Sequence, residues 1–374
     1  MPQIAATIRI DDEEAADLFA DLLEMEVEED YRLAAAFRLK LATYKRDDGL
    51  WAYLDDERLR LWRKLAISVT LDEEEQTLFE GYVTQLRPHI DPDEDQSFVE
   101  VFGLDPTCLM SLEEKLKDWP GKTDSDIARE IFQSYNLAGV VDETGIVHEE
   151  TVTTIIQRES DIQFLKRLAR RNGFECFVEG GRGFFRRPAL AGPPLPVLAA
   201  HFGGETNLVS FEARADALRP TRVRMQQIDP VAKELQDASA EGGEQRTLGR
   251  DAALLAASPP GGVTPRMFVK HAVAFNRSEM ENMGRAIFDE AEWFVEAKGE
   301  LDGSLYDSVL RARRLVPVKG VGELFSGVYY VAGVRHVFRE ERYTQHFTAR
   351  RNALAPAGPG DFPPPGASLA GGAL

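Results

Sequence analysis

The stretch that most restricts what this chain can fold into is GVYYVAGVRHVF at residues 327–338, followed by the charged turn REE and RYTQHFTARRN at 342–352. Apolar and polar side chains alternate through both runs, the two-residue period of a strand with one buried face, so the pair predicts a hairpin. The same signature recurs near the start in AAFRLKLAT (35–43), LAISVTL (65–71) and LFEGYVTQL (78–86), the last carrying a glycine suited to a bulge. RDDG at 46–49 and DPDED at 91–95 supply turns between them. The first hundred residues therefore predict a barrel or sandwich of short strands.

The pattern changes near residue 111. TDSDIAREIFQSYNL, from Thr123, predicts a helix with Thr123 or Ser125 as its cap and Ile127, Ile131 and Tyr135 on one stripe. TVTTIIQR (151–158) alternates as a strand, and SDIQFLKRLARRNGFECFVEGGRGFFRRP (160–188) comes next. Here Ser160 and Gln163 read as a capping box, Ile162, Leu165, Leu168 and Ala169 form the apolar stripe, and Asn172 and Gly173 end the helix. Phe174 to Val178 alternate, Gly180 and Gly181 suit a tight turn, and Phe184 and Phe185 return. Glycines and arginines together suggest a phosphate loop, but such a loop must run directly into a helix amino terminus, and here the chain continues FFRRP. The glycines bend a hairpin, and Arg167, Arg170 and Arg171 read as a solvated or partner-facing edge.

ALAGPPLP (189–196) is a joint before a second β-rich region, in which VSFEARAD and TRVRMQQID read as strands and VAKELQDASAEGGEQR as a polar linker. SEMENMGRAIFDEAEWFVEAKG (278–299) predicts one helix, capped by Ser278 and Glu281, lined by Met283, Ile287, Ala291 and Phe294, and closed by Gly299. The last twenty residues, APAGPGDFPPPGASLAGGAL, are too poor in large apolar side chains for a core and predict a flexible or partner-bound tail.

At 374 residues the chain is long enough for two or three cores. No apolar run is long enough to span a bilayer, and the first residues lack the basic start and apolar core of a secretory signal, so synthesis in the cytoplasm is expected. Of the net charge of −19, most sits at the front, where residues 1–110 carry 27 Asp and Glu against 11 Lys and Arg. That field opposes a DNA-gripping groove there. Cys108 and Cys176 read as small buried hydrophobes. Among His89, His148, His201, His271, His336 and His346 no metal-ligand spacing occurs, although His336 and His346 fall on facing strands of one hairpin. The carboxylates of Asp11 to Glu14 and Glu73 to Glu75 come as runs on exposed turns, unlike the isolated pair that acid and base catalysis requires. The sequence thus assigns no catalytic, cofactor-binding or metal-binding residue, and the chain is expected not to be an enzyme.

The order of elements resembles a known family. LFEGYVTQL, VEVFGLDPTCLMS with TDSDIAREIFQSYNL, IIQRESDIQFLKRLARRNGFECFVEGGRGFFRRP, and VYYVAGVRHVF with FTARRN together look like the contractile tail hub proteins of the phage late control gene D family. These are similar to the T-even phage baseplate hub and the hub module of VgrG. The resemblance implies a β-rich α+β fold with two barrel-like antiparallel β domains and α/β insertions. It places an acidic first domain at 1–105, an α/β domain at 106–190, a second hub domain at 191–355 with a helical insertion near 276–299, and a Pro/Gly-rich tail at 356–374. It further implies a homotrimeric, pseudo-sixfold ring joining the sixfold tail tube to the threefold central spike and forming part of the central channel.

The expected partners are copies of itself, a separate central spike protein, the tail tube or a tube initiator, and other baseplate proteins. DNA or effector cargo would pass without specific binding, and nothing would insert in a membrane. The expected residence is the cytoplasm and then the baseplate of a virion or injection particle. Acidic residues of the first domain would repel a polyanion if they line the channel. Two alternatives are a stand-alone module that captures partner strands on exposed sheet edges, and a cell-wall hydrolase, disfavoured for want of an acid pair or zinc set.

Overall fold

The computed structural model describes residues 4–358 and 362, apart from 72, 149–154, 220–221, 229–232, 253–264, 270–273, 275, 307 and 341. The front of the chain forms β1 (Ile4–Ile10), the two-residue β2 (Glu13–Glu14), β3 (Leu22–Asp30), β4 (Ala36–Ala42), β5 (Lys64–Leu71), β6 (Glu74–His89) and β7 (Phe98–Leu104). Alternation places Ile8, Met25, Val27, Phe37, Leu39, Ile67, Val69 and Val101 on one face, and all of them meet in a single core around which the sheet curls.

The middle of the chain holds β8 (Glu114–Trp119), α1 (Asp124–Ser134), β9 (Ala138–Val141), β10 (Ile155–Ser160), α2 (Asp161–Asn172), β11 (Glu175–Glu179) and β12 (Arg182–Arg186). β11 and β12 are the expected hairpin, turned by Gly180 and Gly181 at φ 54° and 71°. α1 has its capping box between Thr123 and Asp126. At α2 the expected box is absent, because Ser160 occupies the cap without a side-chain bond. Asp161 organises this end instead, accepting from Lys115 Nζ (2.5 Å), Gln157 Nε2 (2.7 Å) and the Tyr135 hydroxyl (2.8 Å). Gly173, at φ 68°, closes α2 as expected. Residues 151–154 of the expected strand before α2 lie outside the described residues.

The remainder forms β13 (Leu198–Ala199), β14 (Leu208–Ala215), β15 (Arg222–Ile228), β16 (Leu235–Ala240), β17 (Asp251–Ala252), β18 (Arg266–Val269), α3 (Arg277–Glu292), β19 (Val295–Asp302), β20 (Leu315–Lys319), β21 (Gly327–Arg339), β22 (Arg342–Arg351) and β23 (Ala353–Leu354). Three expectations are corrected in this region. The supposed polar linker contains β16, paired along β15, and α3 covers its Ala238 and Ala240 with Met280 and Phe288. The last helix is capped by Asn276 rather than Ser278, and it stops at Glu292. Phe294 and Gly299 lie beyond the helix, since β14 and β22 bracket residues 295–302 as a central strand. Ala355, the expected end of the second domain, is buried and its carbonyl accepts from Arg351 Nη2 (2.6 Å). Residues 359–361 and 363–374 lie outside the described residues.

The two β-rich halves, expected as separate barrel-like domains, share one 13-stranded sheet, because β3 pairs antiparallel with β21 from Asp30 opposite Gly333 to Met25 opposite Phe338. The halves also repeat each other. The six strands β1, β3, β4, β5, β6 and β7 lie in the spatial order second, third, sixth, fifth, fourth, first, and β13, β14, β19, β20, β21 and β22 lie in the same order. Irregularities match as well. A bulge falls between Leu22 and Glu24 in β3 and between Leu208 and Ser210 in β14. Another falls between Val83 and Gln85 in β6 and between Val331 and Gly333 in β21. Trp62 and Arg313 both take positive φ, 70° and 61°, and donate their N–H groups to the carbonyls of Val83 and Val331. Two differences remain, since β1 runs antiparallel to β5 while β13 runs parallel to β20, and the register shift between Ile67 and Ser68 has no counterpart in β20 and β21.

A Cβ at Gly299 would stand 2.6 Å from the Ser210 carbonyl and 2.7 Å from the Phe347 ring. Gly299→Val should therefore overpack the second core and cost about 1–3 kcal/mol, read as a lower urea midpoint. A helix-closing role would predict a loss tied to helix content instead.

Candidate functional site

Strand alternation turns a second set of side chains away from the two cores, onto one outward sheet face that runs from β14 to β6. Arg38 on β4 pairs there with Glu24, with Glu26 (3.1 Å) and with Glu100 (2.9 Å). Arg339 also reaches Glu24, and Arg335 approaches Glu26 at 3.7 Å across the β3–β21 junction. Farther along, Lys298 meets Glu212 (2.9 Å), Arg214 meets Glu296 (2.7 Å) and His346 lies 3.8 Å from Glu300. This face is mixed in sign. The acidic runs lie elsewhere, in turns and strand ends toward the far edge of the sheet, where Asp11 binds Arg63 (2.8 Å) and Glu75, at the start of β6, binds Arg9 (2.5 Å).

Two stretches of strand edge in the sheet stand open, one at its end and one within it. Among the described residues, β14 pairs only with β19, and the part of β6 beyond Val83 pairs only with β7.

Where α1, α2 and α3 meet, a buried polar cluster forms that sequence reasoning missed. Arg171 is not a solvated edge residue. It grips Asp124 through Nε (2.7 Å) and Nη2 (3.0 Å) and reaches Glu279 through Nη1 (3.0 Å). His148 Nε2 is 2.9 Å from Asp124, and Asn172 donates to the same carboxylate (2.6 Å). Burial alone would raise the pKa of Asp124, but His148, Arg171 and Asn172 outweigh it and hold the carboxyl below its ordinary range. The cluster is a clamp, with its donors and acceptors used on one another. Arg167, by contrast, is exposed and binds Glu159 (2.6 Å).

Cys108 and Cys176 are buried free thiols, as expected, and burial raises both, to about 11 and about 12. His336 and His346 point to opposite faces of their hairpin, since His336 stands opposite Gln345 and His346 opposite Arg335. His336 is held neutral, its pKa lowered to about 3 by burial and by Arg311, and its Nδ1 lies 2.8 Å from the Tyr343 hydroxyl. No group of three or more His, Cys, Asp and Glu side chains able to hold a metal occurs among the described residues. No helix among them is long and apolar enough to cross a membrane.

One tuned carboxylate pair does exist, contrary to expectation. Burial raises Asp289 to about 6, and burial together with Asp289 raises Glu292 to about 7. Asp289 accepts from the Glu244 N–H (3.2 Å) and lines a cavity of about 220 Å³ with Asn172, Arg187, Asn282 and Arg285. Glu292 does not line it, so the two acids do not face a common space there.

A family model described as the Alg8 N-terminal domain matches residues 3–340. The chain belongs to that family. Among curated proteins nothing matches. Solved structures superpose on this member of the family over nearly its whole chain. The 43 kDa tail protein of prophage MuSo2 from Shewanella oneidensis matches at a TM-score of 0.67 and 14% identity, over 94% of this chain and 100% of that one. A tail protein from Neisseria meningitidis MC58 matches at 0.65 and 14%, over 96% and 99%. The E. coli c3393 protein, described as a type VI secretion component structurally similar to the T4 tail proteins gp27 and gp5, matches at 0.53 and 13%, over 93% and 76%. The likeness to tail hub proteins read from the sequence therefore holds at the level of fold.

The buried carboxylates set two expected outcomes. Asp124→Asn removes the buried carboxylate that Arg171, His148 and Asn172 share and should cost about 3–5 kcal/mol at neutral pH. Because the folded-state pKa of Asp124 is depressed, this difference should shrink as pH falls through that value, checked by urea unfolding across acid pH. For Asp289 and Glu292 the sign is opposite. Their raised values give stability that is present below the ordinary carboxylate range and lost as pH climbs through about 6 to about 7. The double change Asp289→Asn with Glu292→Gln should flatten the melting temperature across that interval.

Proposed function

We propose that this chain is a structural hub of a contractile tail, in a phage or a related injection system, that joins a sixfold tube to a threefold spike. The observation that carries the reading is the internal repeat. One chain holds two six-strand units of the same spatial order with two matching bulges, joined edge to edge, so three chains supply six similar units. Such an assembly matches sixfold symmetry on one side and threefold on the other. The tail proteins and the type VI secretion component of the same fold support it.

In this reading the domain limits stand near 105, 190 and 355, and the ring binds the tube or its initiator, a separate spike and other baseplate proteins. The chain acts by holding geometry, without a catalytic step, and cargo passes through its channel. Imaging the particle that contains this chain tests the reading. A ring of three copies, of three times the 41.7 kDa of one chain, should lie between tube and spike. The chain in any other position, or in another copy number, overturns it.

A further inference from the structure

We infer that the two open strand edges are the halves of one junction, closed between neighbouring copies in the register that β3 and β21 use within a copy. The inference deepens the hub reading and rests on it. Matching bulges align β14 on β3, with Phe211 at the place of Met25, Ala213 of Val27, Ala215 of Glu29 and Asp216 of Asp30. They align β6 on β21, with Gln85 at the place of Gly333, Leu86 of Val334, Arg87 of Arg335 and Pro88 of His336. Carried over, the β3–β21 register sets Asp216 of one copy opposite Gln85 of the next, Ala215 opposite Leu86, Arg214 opposite Arg87 and Glu212 opposite His89. A copy then has one such junction inside and shares one on each side, and three copies close.

Burial supports this independently. Met25 and Val27 are fully buried at the inner junction, whereas their counterparts Phe211 and Ala213 are only half-buried and Ala215 is exposed, though all three point to the core side. Leu86 on β6 is half-buried and Ile90, just past its end, is exposed, while Val334 is buried. The flanking residues agree. Where the inner junction has Ala312 and Arg313, the outer edge has Leu61 and Trp62, 52% and 50% exposed, and the counterpart of Arg32 is Leu218, 88% exposed. These residues form an apolar border in want of cover.

Charge agrees as well, since Glu212 holds the place of Glu26, the partner of Arg335, and would meet Arg87. Arg214, opposite Arg87, is already neutralised by Glu296. The ladder is one donor short. The Tyr31 N–H donates to the Ala332 carbonyl (2.9 Å), and alternation from there aims the His336 N–H at β3. Pro88 lacks that group, which blunts the edge against indiscriminate pairing.

Cysteines test the register. Opposed side chains on one face of an antiparallel pair stand about 4.5–5.5 Å apart at Cβ, within reach of a disulfide. Both native cysteines are buried. The double variant Arg87→Cys with Arg214→Cys should link chains up to a trimer on oxidation, seen on a non-reducing gel. Arg87→Cys with Ala213→Cys, whose side chains lie on opposite faces, should not. Trp62→Asp should yield a lighter species with unchanged circular dichroism and melting temperature. A threefold mass without the Arg87–Arg214 link overturns this junction and leaves the hub reading standing. A monomer at every concentration overturns the junction, and the image of the particle then decides the hub reading.

Discussion

The structure depends on the pairing of β3 with β21, which turns two curled cores into one sheet. The junction is held by more than its backbone ladder. Glu29 points to the core side, fully enclosed, and accepts from the Ala312 N–H (2.9 Å) and from Arg311 (2.6 Å). Arg313 donates to the Asp30 carbonyl (2.7 Å) and stacks on Phe177 of the α/β insertion, 4.0 Å from its ring centre. A carboxylate enclosed without those partners would cost several kcal/mol, so Glu29 makes this edge a poor fit for any other strand. The pairing also joins residues some 300 positions apart in sequence, Asp30 with Gly333 and Met25 with Phe338. Each half can form its local hairpins before that long loop closes.

Duplication accounts for the way the two halves diverge. At the inner junction the neighbour is always present, so polar groups can be buried against fixed partners such as Glu29 and Arg313. At the outer edges the same positions carry Ala215 and Trp62, which tolerate water in the free chain and need no partner of fixed geometry. An apolar border costs little when left open and gains when covered, at about 25 cal/mol per Å² of apolar surface. That asymmetry is what a subunit requires when one junction is permanent and the other is made on assembly.

Much of this was legible in the sequence, and the misses share a cause. The β21–β22 hairpin, the α2 stop at Gly173 and the β11–β12 turn were legible because alternation and positive-φ glycines are local signals. β16 was not, since QDASA has neither β-branched nor aromatic residues and becomes a strand only by pairing with β15 under α3. The run from Ala291 through Phe294 continues a helical stripe, and VEAKGELD is rich in helix formers, yet β14 and β22 claim it as a strand. Arg171 lay on the polar side of its helix, and only α3, about a hundred residues later, encloses it. The repeat itself left a trace, YVTQLR at 82–87 over YVAGVR at 330–335, but six residues at that spacing gain meaning only once matching bulges fix the register.

The strand carboxylates bear on how a channel built from this sheet would behave. The sequence suggested a lumen that repels polyanions by net negative charge. On the outward face, however, Glu24, Glu26, Glu100, Glu212 and Glu296 are each matched by Arg38, Arg339, Lys298 or Arg214 in the plane of the sheet. A guanidinium already spent on two or three carboxylates has little left to offer a passing phosphate, and its partners supply no large field at distance once the signs cancel. In the hub reading, the wall is therefore non-adhesive through local pairing rather than through repulsion. Such a wall offers acidic and basic cargo alike few free charges at these positions, and the same ion pairs stitch each strand to the next.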